Sequence, residues 1–178
     1  RPIAAIDGGD DDLTQTIADA FTISAERNFD QDPRFGVIVL SEIAQRALSS
    51  AYNDSGTVID VLGRAVRVLS IWGDRPERDE PDYPRVHVPA ISLDEIFDDF
   101  FQPIARDGAQ LVEVQVRLQK ALAALARVDD PRFADAARRH SERALVRARK
   151  AIDIEADLLR IEEAAARVAQ PRSGWVTS

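Results

Sequence analysis

The chain has 178 residues and a net charge of −8, with 45% hydrophobic and 30% charged residues, which is the composition of a folded domain with its own core. It has no Cys and only two His, which excludes disulfides and thiolate metal sites and argues against multi-His zinc sites. No apolar run approaches the ~18 residues of a membrane helix, and the acidic charge gives no overall basic footprint for nucleic acid.

The first residues indicate that the chain is a piece of a longer protein. It contains no Met and begins with Arg1-Pro2-Ile3-Ala4, which is a poor natural start. Residues 1–11 are predicted to be a tail or the remnant of a preceding β element. Residues 12–170 are predicted to form a helical domain, and residues 171–178 a C-terminal tail.

Three helices are predicted in the first half of the chain. Apolar residues at helical spacing predict a first helix over residues 11–28. Pro33 suits the first position of a second helix, which ends near Ser49. This helix is apolar around much of its circumference, so we expect it to be central. Turn residues around Asn53 precede a third helix that ends near Gly73.

A charged, Pro-rich loop over residues 74–84 separates these helices from the rest. Residues 86–88 are predicted to form a short extended segment. Ser92 followed three residues later by Glu95 is a capping-box pattern, so it predicts the start of a fourth helix. Pro103 is expected to kink or end its regular part, since proline removes an internal hydrogen bond. Gly108 is a suitable stop.

The last third of the chain predicts two helices, over about residues 109–128 and about 131–169. The second would be roughly 55–60 Å long if unbroken. It has two apolar seams, which indicates either a place between neighbouring helices or a face for a second subunit. The chain is therefore predicted to be an all-α bundle of about six helices with a long C-terminal helix. At most a trace of β structure is expected at the N-terminus and near residues 85–89.

Charged and polar residues cluster at two helix junctions. They could position a ligand beside a helix N-terminus, or they could be structural ion pairs and helix caps, and the structural interpretation is favoured. The acidic run of residues 7–12 lacks the ligand spacing of a calcium loop. No Gly-rich phosphate loop or catalytic signature is present, so no catalytic residue, metal or cofactor is expected. The candidate ligand residues are Glu26, Arg27, Asp32, Arg46, Asn53 and Asp54.

Several blocks resemble a known family. Residues 26–36, ERNFDQDPRFG, resemble its pattern ER-T-x-x-QD-x-x-FG, and residues 43–49 followed by Asn53-Asp54 resemble DIAxRALSPAINDP. The segment 85–89 and the Phe-rich helix up to residue 108 resemble its later VxxP and AFxxIRxYG region. The family is the uncharacterised bacterial predicted membrane proteins known as domain of unknown function 2254. Ser50 and Ser55 stand where Pro is usual in that family.

The resemblance implies a parent protein with membrane helices near its N-terminus, followed by a soluble region to which this chain belongs. The expected partner is then that membrane-spanning region, and the expected place is the cytoplasmic side of the membrane. The leading hypothesis is a non-enzymatic domain for regulation or assembly, with a homo-oligomer formed through the 131–169 helix. The alternative is a ligand-sensing or enzymatic domain that uses the six candidate residues. Nucleic-acid binding by the Arg-rich stretch 138–150 is a third hypothesis, but no nucleic acid is expected.

Overall fold

Seven helices and two short strands make up the part of the chain that the computed structural model describes, which is residues 5–6, 8, 11–21, 27, 29, 32–74, 85–87 and 90–170. The strands β1 (Ala5–Ile6) and β2 (Val86–His87) pair antiparallel, with Ala5 opposite His87. This confirms the predicted all-α class, with its trace of β structure at the two expected places. The helices are α1 (Asp11–Asp19), α2 (Pro33–Leu48), α3 (Ser55–Gly73), α4 (Leu93–Asp107), α5 (Val112–Leu125), α6 (Pro131–Ala151) and α7 (Glu155–Ala166).

Four helices begin at polar caps that are recognisable in the sequence. In each case the side-chain oxygen of an Asp or Ser accepts a hydrogen bond from a backbone N–H in the first turn, which would otherwise lack a partner. The turn residue Asp54 and the capping-box residue Ser92 are the predicted cap positions before α3 and α4. The caps are Asp32, Asp54, Ser92 and Asp130, at the start of α2, α3, α4 and α6.

The end of the first helix and the effect of Pro103 differ in part from the prediction. The first helix ends at Asp19 rather than residue 28, and Ala20 and Phe21 follow it in a turn. Residues 22–26 and 28 lie outside the described residues. The fourth helix continues through Pro103 to Asp107, so the proline does not end it, and the predicted stop at Gly108 is confirmed. Gly108 then closes α4 by donating its N–H to the Ile104 carbonyl.

The bundle is built around α4 and α5 rather than around α2. α2 packs against α3 and α4, α3 packs against α5, and α4 packs against α6. α5 contacts α3, α4, α6 and α7, and it buries more residues than any other described helix. The expected central position of α2 is therefore wrong. α2 buries one stripe that includes Val37 and Ala44, and the rest of its apolar circumference is partly exposed.

Aromatic side chains fill the centre between α4 and α6. Phe97 lies 5.0 Å from Phe101 and 5.8 Å from Phe133, measured between ring centroids. Phe100 meets Phe101 edge-on at 4.8 Å. All four rings are buried, so they give this core both its apolar area and its ring geometry.

The predicted 131–169 helix is wrong in one respect, because the chain reverses at residues 152–154. Ile152 adopts an extended conformation, and α7 folds back on α6 as a helical hairpin. Arg149 on α6 donates two hydrogen bonds to Glu162 on α7, at 2.8 and 2.6 Å. The reversal buries Ile152 and Ile161 in one apolar cluster. Part of both seams is thus covered within the same chain, which an unbroken helix could not achieve.

Candidate functional site

The first predicted cluster lies at the N-terminus of α2 and is held together by Asp32. Its carboxylate accepts a hydrogen bond from the Phe35 N–H at 3.0 Å and two from the Arg27 guanidinium at 2.8 and 2.6 Å. The guanidinium carbon lies 4.9 Å from the centre of the Phe35 ring, and Phe29 stacks on that ring. Both oxygens of Asp32 are thus engaged in capping the helix and pairing with Arg27.

The protonation of Asp32 fits this structural role. Loss of hydration raises the pKa of a carboxyl group, but here the Arg27 hydrogen bond and charge and the backbone N–H groups outweigh it. The net result is a pKa for Asp32 below its ordinary value of 3.8. Asp32 is therefore an anion at neutral pH, and it faces a fixed counter-charge.

The second predicted cluster is the turn between α2 and α3. Asn53 has a φ of 45°, in the left-handed region that Asn tolerates better than most residues. The Asp54 carboxylate accepts hydrogen bonds from the Thr57 N–H at 3.0 Å and the Thr57 hydroxyl at 2.6 Å. These bonds hold the pKa of Asp54 below its usual value. The geometry is that of a capped turn.

The structure separates the candidate residues into two places. Arg46 lies in the last turn of α2 and is exposed. It stands fourteen positions after Asp32 on the same helix, which corresponds to roughly 20 Å. Arg27 and Asp32 are therefore together at one end of α2, while Arg46 and the Asn53-Asp54 turn are at the other. Glu26 lies outside the described residues.

The first two thirds of the chain match a known protein family. A family model described as Predicted membrane protein (DUF2254) matches residues 1–124 of the 178. The chain belongs to the DUF2254 family. No curated protein and no solved structure matches it. The DUF2254 match spans both strands and the helices α1 to α4, together with most of α5, whereas the α6–α7 hairpin lies beyond it.

The DUF2254 region contains no membrane-crossing helix among the residues described, since each helix there is too short or too polar. In the same part of the chain, no three His, Cys, Asp or Glu side chains lie close enough together to hold a metal ion.

A ladder of ion pairs joins the DUF2254-matched helix α4 to α6. Asp94 pairs with Arg139, and Asp98 pairs with Arg143 at 3.0 Å, so acids four apart on α4 meet bases four apart on α6. On its other side α4 holds Arg34 of α2, whose Nε lies 2.6 Å from Asp99. These pairs were not predicted from the sequence. The equal spacing of the two charge sets is the signal that would have suggested them.

His140 lies behind this ladder and is a buried group that the sequence analysis did not single out. Its ring is 5.6 Å from Phe97 and 6.1 Å from Phe101, and its Nε2 is 3.4 Å from Asp98. Burial lowers the pKa of His140 from 6.5 to about 4, and the attraction of Asp98 only partly opposes this. His140 is therefore a neutral imidazole at pH 7.

A cleft of about 860 Å³ opens where α3 ends and α6 begins. Trp72, Leu93 and Phe133 form its apolar wall, and Asp130 and Arg132 stand at its rim. Asp130 caps α6 and also pairs with Arg132 at 2.7 Å. The Arg132 hydrogen bond lowers the pKa of Asp130 despite some loss of hydration. The Asp130 carboxylate at the rim is thus already engaged in capping α6 and in its pair with Arg132.

Proposed function

We propose that this part of the DUF2254 protein is a non-enzymatic domain for regulation or assembly, which joins copies of the parent protein through the α6–α7 hairpin. The family description as a predicted membrane protein supports a place beside membrane-spanning segments of the same protein. The ligand-sensing alternative needs the six candidate residues in one pocket. The five described ones lie in two groups at opposite ends of α2. Asp32 and Asp54 are helix caps, and Arg27 pairs with Asp32.

The observation that carries this proposal is the apolar surface left on the hairpin after it folds back. Val146 on α6 is 52% exposed, Ile154 in the turn is 63% exposed, and Leu159 on α7 is 52% exposed. The inner faces of the same helices are already buried against α5. Large aliphatic side chains that remain exposed after the chain has covered its own core favour a contact with a second molecule.

Light scattering on the 178-residue chain over a range of concentrations tests the proposal. We expect a concentration-dependent oligomer that the double substitution Ile154→Ser, Leu159→Ser dissociates. Ile43→Ser is the matched control, because Ile43 is 44% exposed on α2 and far from the hairpin in sequence. A strict monomer at high concentration would contradict the proposal. So would hairpin and control variants that assemble equally well.

The proposed location is the cytoplasmic side of the membrane, and the absence of Cys from this chain is consistent with it. Cysteine accessibility tests it in the full-length protein. Ser50→Cys places a thiol in the exposed α2–α3 turn. A membrane-impermeant maleimide should label this thiol only after the cells are opened. Labelling in intact cells would place the domain on the outer side.

A further inference from the structure

A basic surface with two exposed aliphatic side chains runs along α3 and α5. Burial at helical spacing leaves one face of each helix outward, and the two outward faces adjoin because α3 packs against α5. We call this surface the α3–α5 face. It consists of Arg64, Arg67, Val68 and Ile71 on α3, Arg117 and Lys120 on α5, and Arg127 in the turn that follows α5.

Two close contacts show that the helices run side by side in the same direction. A methyl group placed on Gly63 would lie 3.1 Å from Nη2 of Arg117, so this guanidinium crosses the groove between α3 and α5. A methyl group on Gly73 would lie 2.4 Å from Val128, just after the end of α5. The contacts are ten positions apart on α3 and eleven on the α5 segment. Arg67 therefore lies beside the turn of α5 that carries Lys120.

In the described part of the chain, the basic side chains of this face are unpaired, whereas most of the basic side chains of α6 are in ion pairs. The arginines of α6 at positions 138, 139, 143 and 149 are all in ion pairs. Among the described residues, the five basic side chains of the α3–α5 face form no ion pair, and the buried Nε of Arg117 has no hydrogen-bond partner. Three exposed acids, Asp60, Glu113 and the α3 C-cap Asp74, lie on the two outward stripes against five bases, although the whole chain carries −8.

Apolar side chains stand among these charges. Val68 is 51% exposed and Ile71 is 56% exposed, and they are three positions apart on the same side of α3. Surfaces that lie on an anionic bilayer typically have arginine and lysine side chains around exposed aliphatic ones. The face has no aromatic side chain on which a nucleic-acid base could stack. The surface therefore fits lipid headgroups better than nucleic acid.

We propose that the α3–α5 face binds the surface of an anionic phospholipid membrane. Phosphate groups and anionic headgroups would pair with the five basic side chains, including the guanidinium that crosses Gly63. Val68 and Ile71 would enter the boundary between headgroups and acyl chains. This contact is separate from the α6–α7 hairpin, so self-association and membrane binding can succeed or fail independently.

Sedimentation with vesicles tests the proposal on the 178-residue chain. The chain should bind vesicles of phosphatidylcholine with about 30% phosphatidylglycerol, but not vesicles of phosphatidylcholine alone. Raising the salt from about 0.05 to about 0.5 M should weaken binding, since exposed charges are then screened. The double substitution Arg67→Gln, Lys120→Gln should lower the partition coefficient about 30-fold. Val68→Ser, Ile71→Ser should weaken binding at every salt concentration.

The matched control is Arg147→Gln, Lys150→Gln, which removes the same two charges from α6, where neither residue is in an ion pair with a described residue. This control should bind vesicles like the wild type, and circular dichroism should show that all variants are folded. Equal binding to neutral and anionic vesicles, or equal loss in the control pair, would overturn the proposal. Binding to a random-sequence RNA without binding to vesicles would also overturn it. Light scattering of the Arg67, Lys120 variant should match the wild type.

Discussion

Acidification should destabilise this bundle through His140, a buried imidazole. In the folded chain it lies against Phe97 and Phe101, and Asp98 is the nearest acid. The flanking Arg139 and Arg143 oppose its protonation, and the pKa of His140 falls from 6.5 to about 4. The unfolded chain therefore binds a proton at higher pH than the folded chain does.

The sign and size of the effect follow from this difference. Because the unfolded state binds more protons between pH 6.5 and about 4, stability rises with pH across that window. The stability of the fold with a neutral His140 is fully present above pH 6.5, and it is lost progressively as the pH falls to about 4. The gap between the two pKa values corresponds to roughly 3 kcal/mol. This is a large part of the 5–15 kcal/mol that is typical of a whole domain.

Urea unfolding at several pH values between about 7 and about 4 measures the effect, with His140→Leu as the comparison because leucine fills a similar volume without titrating. The wild type should lose roughly 3 kcal/mol more than His140→Leu over this range. Nuclear magnetic resonance should also place the pKa of His140 near 4. A constant stability difference between the two proteins, or a measured pKa near 6.5, would refute the reasoning.

Three further substitutions should lower the free energy of unfolding, measured by urea denaturation. Gly73→Ala places a methyl group 2.8 Å from the buried Phe133 ring, so it should cost about 1–3 kcal/mol, and a more stable variant would contradict the packing argument. Ser141→Ala removes the hydroxyl that donates to the buried Gln119 side-chain oxygen at 2.6 Å. Leaving that oxygen without a partner should cost about 1–3 kcal/mol. An unchanged free energy of unfolding would mean that water replaces the hydroxyl. Asp32→Ala should cost about 1 kcal/mol through its lost helix cap, whereas Asp32→Asn should retain most of that stability. Equal losses would assign the effect to the Arg27 ion pair instead.

The helix caps among the candidate residues could be predicted from the sequence, but the distances between the candidate residues could not. That Asp32 and Asp54 precede helices can be inferred from their own neighbours, because a cap involves only the next three residues. Whether Arg27 and Arg46 converge depends on the length and direction of α2. Their separation follows only once that helix is continuous between them. The His140 environment likewise requires α4 and α6 to meet, and these are distant in sequence.

The sequence by itself determined the all-α class, the places of the short strands, most helix starts and the family, since caps and apolar periodicity act over a few residues. Tertiary structure alone decided that the chain reverses at Ile152. No proline or glycine marks that point, and the reversal is stabilised by burying Ile152 with Ile161. It also decided that α5 rather than α2 is enclosed by its neighbours. An apolar stripe shows that a surface must be covered, but only the packed chain shows which neighbour covers it.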